Sequence, residues 1–189
     1  MSYYLAIDIG ASSGRHILGS IENGKIKLEE IYRFENGISK IEDEYCWDIK
    51  GLFNEIKNGI KKCKEIGKIP KTIGIDTWAV DFVLLDENDE ILGNAVAYRD
   101  DRTEGYMEKA FEVIPQDMLY LYTGIQFQRF NTLYQLLAIK DKNPEYLEKA
   151  KTFLMIPDYL NFLLTGKKVN EYTNATSTQL VHSFDRTWD

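Results

Sequence analysis

Cysteine and histidine are scarce in this 189-residue chain and acidic residues outnumber basic ones, and each of these facts bears on a class of function. The two cysteines, Cys46 and Cys63, have no metal-ligand spacing and are too few for a disulfide framework, so both read as ordinary buried or half-buried thiols. His16 and His182 stand alone, which leaves no zinc site and no histidine-based nucleophile system to argue. The formal net charge is -7, with lysines scattered among glutamates, so no field attracts a phosphate backbone and nucleic acid is excluded as a partner. No apolar run approaches the roughly 20 residues of a membrane helix, and Met1 to Tyr4 leads into a strand pattern without a basic segment and signal core. No membrane partner and a cytoplasmic location are the expectations that follow.

What is present is the composition of a folded globular domain, 44% hydrophobic and 28% charged, at a length that fits about one domain. Tyr3 to Ile9 and Arg15 to Ile21 read as two strands of a hairpin around Gly10, Ala11, Ser12, Ser13 and Gly14. Asn23-Gly24 is a strong turn signal and leads into a third strand from Lys25 to about Phe34, with a bulge expected at Glu29-Glu30, where the alternation slips. Leu52, Phe53, Ile56, Ile60 and Cys63 share one face of a helix that starts at Ile49, with Asp48 as N-cap and Gly67 closing it. Strands follow at Thr72 to Asp76 and Asp81 to Asp86, then a polar turn around Asn88 and an extended run from Ala95 to Tyr98. Helices are predicted from Thr103 to Glu112, from Thr132 to about Lys140, and from an Asn143 cap with Pro144 in the first turn. Phe153 to Ile156 reads as a short buried strand and Pro157 to Thr165 as a helix closed by Gly166. A strand meander followed by alternating strands and helices is an α/β pattern, a mixed sheet flanked by helices.

Three clusters carry chemistry. Asp8, at the end of a strand and before a glycine-serine bend, suits a site where backbone N–H groups surround a phosphate, hydroxyls add donors and the carboxylate reaches a magnesium ion. The same residues also fit a tight turn with no ligand. A dinucleotide fingerprint is ruled out because a strand rather than a helix follows, and a Walker-type loop because no Gly-Lys-Ser/Thr follows Gly14. In the second cluster, Gly74 to Asp81, a buried strand is expected to end beside Trp78 and Asp81, an aromatic face and a carboxylate of the kind that binds a polyhydroxylated ligand. A strand end with a core tryptophan is the plainer reading. In the third, Ala97 to Thr103, Tyr98 and Arg99 stand in a mixed-charge stretch that suits a hydroxyl clamp or a self-paired surface turn.

In this order the clusters resemble the FGGY carbohydrate kinases of the actin-like ATPase superfamily, and within them the rhamnulokinase group. The resemblance rests on Asp8 to Arg15, Arg33-Phe34-Glu35-Asn36-Gly37, Gly74 to Asp86 and Ala97 to Thr103. It continues through Gly124 to Phe127, Phe130 to Leu136, Met155 to Tyr159 and Glu171 to Thr176, and so covers essentially the whole chain. It implies an actin-like (ribonuclease H-like) fold and ATP-dependent phosphorylation of the 1-hydroxyl of L-rhamnulose in L-rhamnose breakdown. Another ketose, L-fuculose or xylulose, and a non-catalytic sugar-binding module are the alternatives.

By position, the resemblance implies that Ala11, Ser12, Ser13, Gly14 and Arg15 hold ATP phosphates and that Asp8 positions Mg2+. Trp78, Ala79, Asp81, Tyr98, Arg99 and Asn131 would contact the sugar, Ala79 standing where the group carries glycine. The family's general base, an aspartate in a His-Asp-Thr motif, is not found up to Asp189. Residues 1–189 are therefore expected to be an incomplete N-terminal domain, lacking its own end and the second domain, inactive alone and open to self-association.

Overall fold

The computed structural model describes residues 1–188, and the chain divides into two compact units: Met1–Ser39 with Asp48–Trp78, and Lys40–Trp47 with the chain from Ala79 onward. The first unit is built on β1 (Tyr3–Ile9), β2 (Ser13–Glu22) and β3 (Lys25–Glu35), an antiparallel meander as the turn residues predict. Asn23 and Gly24 both take positive φ, which is what their turn requires. The expected bulge falls one residue on from Glu30: Ile17 pairs with Glu30 and His16 with Tyr32, leaving Ile31 as the extra residue.

Alternation then selects the inner face. Leu5, Ile7, Ile9, His16, Leu18 and Phe34 are buried, whereas Ile26 and Leu28 at the far end of β3 are exposed. Helix α1 (Ile49–Glu65) packs its buried stripe of Ile49, Leu52, Ile56, Gly59 and Cys63. Phe53 and Ile60, read as members of that face, are half-buried flanks. Asp48 accepts from the Gly51 N–H at 2.8 Å, and Gly67 ends the helix in the left-handed region, with Lys68 N–H donating back to the Cys63 carbonyl.

A close fit in this unit joins His16 to Gly59. A Cβ at Gly59 would lie inside the His16 ring, so glycine is required there for packing rather than for backbone freedom. The imidazole is fully buried, with Nε2 3.2 Å from the Ile56 carbonyl, and burial lowers its pKa.

Strand β6 (Pro70–Asp76) completes this sheet in the order β3-β2-β1-β6, parallel to β1. The expectation of a buried strand here is corrected: β6 is the sheet margin, mostly exposed, with Ile75 half-buried and Ile73 39% exposed. Two short strands that the sequence reading did not find, β4 (Ile38–Ile41) and β5 (Glu44–Trp47), form a two-stranded sheet.

In the second unit, β7 (Phe82–Leu85) is buried throughout and pairs antiparallel with β8 (Thr152–Met155), separate from the larger sheet. Phe82, Leu84, Ile139 and Met155 form one apolar cluster, and Tyr106, Ala110, Tyr134 and Ala138 form another. The helices are α2 (Tyr106–Val113), α3 (Gln116–Thr123), α4 (Thr132–Lys142), α5 (Pro144–Lys149), α6 (Ile156–Thr165) and the single turn α7 (Tyr172–Ala175). Helix α2 starts later than Thr103 because Asp100 caps a separate 3-10 turn at Asp101–Thr103 and Gly105, at positive φ, restarts the chain. Ala95 to Tyr98 is no strand. It meets β5 only by an isolated bridge, with Trp47 N–H donating to the Ala95 carbonyl and Ala97 N–H to that of Tyr45.

One carboxyl in this unit sits against its own chemistry. Asp158, 5% exposed in the first turn of α6, accepts from the Glu171 N–H at 3.2 Å through Oδ1 while buried Oδ2 has no hydrogen-bond partner. Burial, with a smaller contribution from the Glu171 charge, pushes its pKa up to about 6.

Two stability outcomes follow. Gly59→Ala should cost about 1–3 kcal/mol in urea unfolding, because the new methyl forces the His16 ring to move. For Asp158 the folded pKa lies above the unfolded one. Its stabilising contribution is therefore complete below about pH 4 and lost as pH rises through about 6. Asp158→Asn should be more stable than the parent at pH 7.5, on the order of 2 kcal/mol, and the gap should close toward pH 4 in the same measurement.

Candidate functional site

The residues expected to hold phosphate all lie in the first unit. Gly10, Ala11 and Ser12 form the bend, while Ser13, Gly14 and Arg15 already belong to β2. Three of the bend's backbone groups are engaged: Gly10 N–H donates to the Ser13 carbonyl at 2.9 Å, and the Gly10 and Ser12 carbonyls accept from Asn36. Among the described residues the Ala11 and Ser12 N–H groups and the Ser12 and Ser13 hydroxyls make no such bond, so four donors of this short bend are open to a ligand. Packing requires glycine at position 14, since a Cβ there would enter the Phe34 ring.

Beside the bend, Arg15 Nε donates to Asp8 Oδ2 at 2.9 Å, and both side chains are nearly half exposed. An ion pair this open contributes about 0–1 kcal/mol, so either partner can be drawn to a ligand at small cost. Parallel pairing brings Asp76 into register with Asp8 at the same end of the sheet. Sequence reasoning quoted Asp76 in its motif but gave it no role. The signal available was the matching pattern of a strand ending in aspartate, Ala6-Ile7-Asp8 and Gly74-Ile75-Asp76. Among the described residues no group of three or more His, Cys, Asp or Glu gathers as a metal site. Magnesium does not require one, because it binds through one or two carboxylates and keeps waters and phosphate oxygens. An exposed carboxylate pair next to free N–H donors fits that ion together with a phosphate.

Of the residues predicted to meet the sugar, Trp78 lies in the first unit, half-buried, and the others lie in the second. Ala79 is exposed. Val80 follows it at φ 65°, in a γ-turn closed by Asp81 N–H donating to the Ala79 carbonyl at 2.9 Å. Positive φ is unfavourable for a β-branched residue, and such strain clusters at ligand sites. The turn is held from both sides, with the Val80 carbonyl accepting from Thr132 Oγ1 at 2.6 Å and Gln135 Nε2 at 3.3 Å, and Val80 N–H reaching Ser177 Oγ at 3.3 Å.

Asp81 has no exposed surface, and its carboxylate accepts from Trp47 Nε1 at 2.7 Å, Tyr98 N–H at 3.0 Å and Gln135 Nε2 at 3.1 Å. Gln135 accepts in turn from Arg102 at 2.7 Å, and Arg102 is tied by its own N–H to Asp100, whose other oxygen accepts from Tyr45 N–H. Asn131, 3% exposed, donates to the Gln126 carbonyl and to Gln179 Oε1 at 3.0 and 2.9 Å. Tyr98 is half-buried, edge-on to Phe130, and Arg99 is exposed, stacked over Tyr98 and donating to its hydroxyl at 3.1 Å. Thus Ala79, Tyr98 and Arg99 present surface, whereas Asp81 and Asn131 are committed internally. Trp47, Arg102 and Gln135 belong to the same network and were not singled out from sequence.

Removing the central acceptor strands several buried donors at once. Asp81→Ala should cost about 3–5 kcal/mol in denaturant unfolding and shift the Trp47 emission, whereas Arg99→Ala should stay within about 0.5 kcal/mol.

Comparison with known proteins gives this geometry a family. The chain is 61% identical over its whole length to a rhamnulokinase of Halalkalibacterium halodurans and 62% identical over 98% of its length to one of Oceanobacillus iheyensis. A rhamnulokinase of Bacillus subtilis is 47% identical over 95% of the chain. The chain spans about 40% of the length of these relatives. Among solved structures, a ligand-bound xylulose kinase of Lactobacillus acidophilus superposes with TM-score 0.88 at 23% identity, covering all of this chain and 38% of that one. A glycerol kinase of Plasmodium falciparum with ADP superposes at 0.80 and 22% identity, covering all of this chain and 39% of that one. The fold is thereby the actin-like ATPase fold of these sugar kinases. Residues 3–189 match the model of the FGGY family of carbohydrate kinases, N-terminal domain, and the chain belongs to that family.

Proposed function

We propose that this chain forms the phosphate-binding and sugar-binding portion of an ATP-dependent kinase that phosphorylates the 1-hydroxyl of L-rhamnulose, in L-rhamnose breakdown. The observation that carries the reading is the bend with four unengaged donors beside an exposed Asp8, in a chain 61% identical to a rhamnulokinase. Phosphoryl transfer makes little covalent demand on a protein and depends on positioning and charge stabilisation. Here Ala11 and Ser12 N–H groups and the Ser12 and Ser13 hydroxyls donate to phosphate oxygens. Arg15 brings positive charge, keeping free guanidinium donors after its single bond to Asp8. Asp8, with Asp76 alongside, would hold Mg2+, whose positive charge would offset that of the phosphates.

On the sugar side, Tyr98 and Arg99 offer an aromatic face and charged donors, and Ala79 offers backbone and a methyl. Asp81 and Asn131 are assigned as positioning residues: both are buried, Asp81 holding the Tyr98 backbone and Asn131 donating to the Gln126 carbonyl and Gln179 Oε1. The general base and the adenine contacts belong to the remaining length of the parent chain. The setting is cytoplasmic, where ATP is supplied. Among the described residues no helix is long and apolar enough to cross a membrane.

Purified parent protein in a coupled assay should form ADP with L-rhamnulose and MgATP. Residues 1–189 alone should form none, and Arg15→Ala in the parent should raise KM for ATP about tenfold or more. Turnover with L-fuculose or xylulose but not L-rhamnulose moves the substrate. No turnover with any ketose, alongside measurable sugar binding, makes the protein a sugar-binding module.

A further inference from the structure

The segment after β3 has no assigned part in the site, yet its first residue holds the phosphate bend on two sides. Asn36 N–H donates to the Ser12 carbonyl at 3.0 Å and Asn36 Nδ2 donates to the Gly10 carbonyl at 2.8 Å, while Asn36 Oδ1 accepts from Gly37 N–H at 2.9 Å. The side chain is therefore fixed in orientation by Gly37, with its donor end aimed at the bend. Carbonyl oxygens repel phosphate, so a cradle requires its acceptors turned away and its donors turned in. Because a peptide unit is planar and trans, turning the Gly10 carbonyl toward Asn36 sends the N–H of the same unit, that of Ala11, to the opposite side. That N–H is one of the two free backbone donors of the bend.

We infer that Asn36 is a positioning residue for nucleotide binding: its amide holds the Gly10 carbonyl out of the phosphate site and so aims the Ala11 N–H into it. The role rests on the proposed reading of Gly10 to Arg15 as the phosphate cradle. Asn36 itself touches no phosphate. The bond lies partly in water, so its loss lets the Gly10–Ala11 peptide sample other orientations without unfolding the sheet.

The test uses the full-length parent chain, with MgATP affinity by titration calorimetry and KM values for ATP and for the ketose. Asn36→Ala should weaken MgATP binding about tenfold, in line with one oriented hydrogen bond, and leave the sugar KM within about twofold. Asn36→Asp keeps the shape and the bond from Gly37, loses the donor and adds negative charge, so it should weaken MgATP further. The pair Ser12→Ala and Ser13→Ala serves as the control for the cradle. If the serine pair weakens MgATP and both Asn36 variants bind it as the parent does, the role of Asn36 is overturned and the cradle stands. If the serine pair has no effect, the cradle reading falls and this inference with it. Equal losses for ATP and sugar that follow a lowered melting temperature would make Asn36 structural only.

Discussion

A carboxylate withdrawn wholly from water is stable only when its oxygens are matched by donors, and Asp81 imposes that condition on much of the second unit. Trp47, Gln135 and the Tyr98 backbone come from separate parts of the chain to meet it. Each donor brings its own constraint: Gln135 is shared with Val80, Phe130 and Arg102, and Arg102 with Asp100. The γ-turn at Val80 is affordable because Thr132 and Gln135 both hold its carbonyl. Exposed Ala79 and Arg99 and half-buried Tyr98 are thus carried by a buried polar frame.

The first unit follows the reverse logic. Its bend satisfies its acceptors, through Asn36 and the Gly10 N–H, and leaves its donors open. The Asp8–Arg15 pair beside it is exposed enough to be given up cheaply. Below this polar margin the sheet is locked to α1 by the His16–Gly59 fit and by Tyr32 donating to Glu55 at 2.5 Å. The base of the bend is rigid where the bend itself is available.

Local chemistry was legible in sequence and long-range chemistry was not. The meander, the cap at Asp48, the Gly67 and Gly166 terminations and the strand at Phe153 to Ile156 carried strong signals of period or turn type, and the structure follows them within a few residues. The β4–β5 pair and α3 were missed because four-residue strands and an eight-residue helix after Pro115 offer too few periods to register. That β6 is a margin strand depends on which strands neighbour it, a property of topology. The internal bonds of Asp81 and Asn131 were not legible because several of their partners are remote in sequence, Trp47 34 and Gln135 54 positions from Asp81 and Gln179 48 from Asn131. Asn36 was quoted for its motif, but the bend it serves is 26 positions earlier.

The position of β6 has a kinetic consequence. Among the described residues β6 is paired to β1 along one side only, so its backbone N–H groups alternate between those held in the ladder and those directed to water. Deuterium uptake along this single strand should therefore alternate between slow and fast from one residue to the next, a sawtooth that the fully flanked β1 and β2 lack.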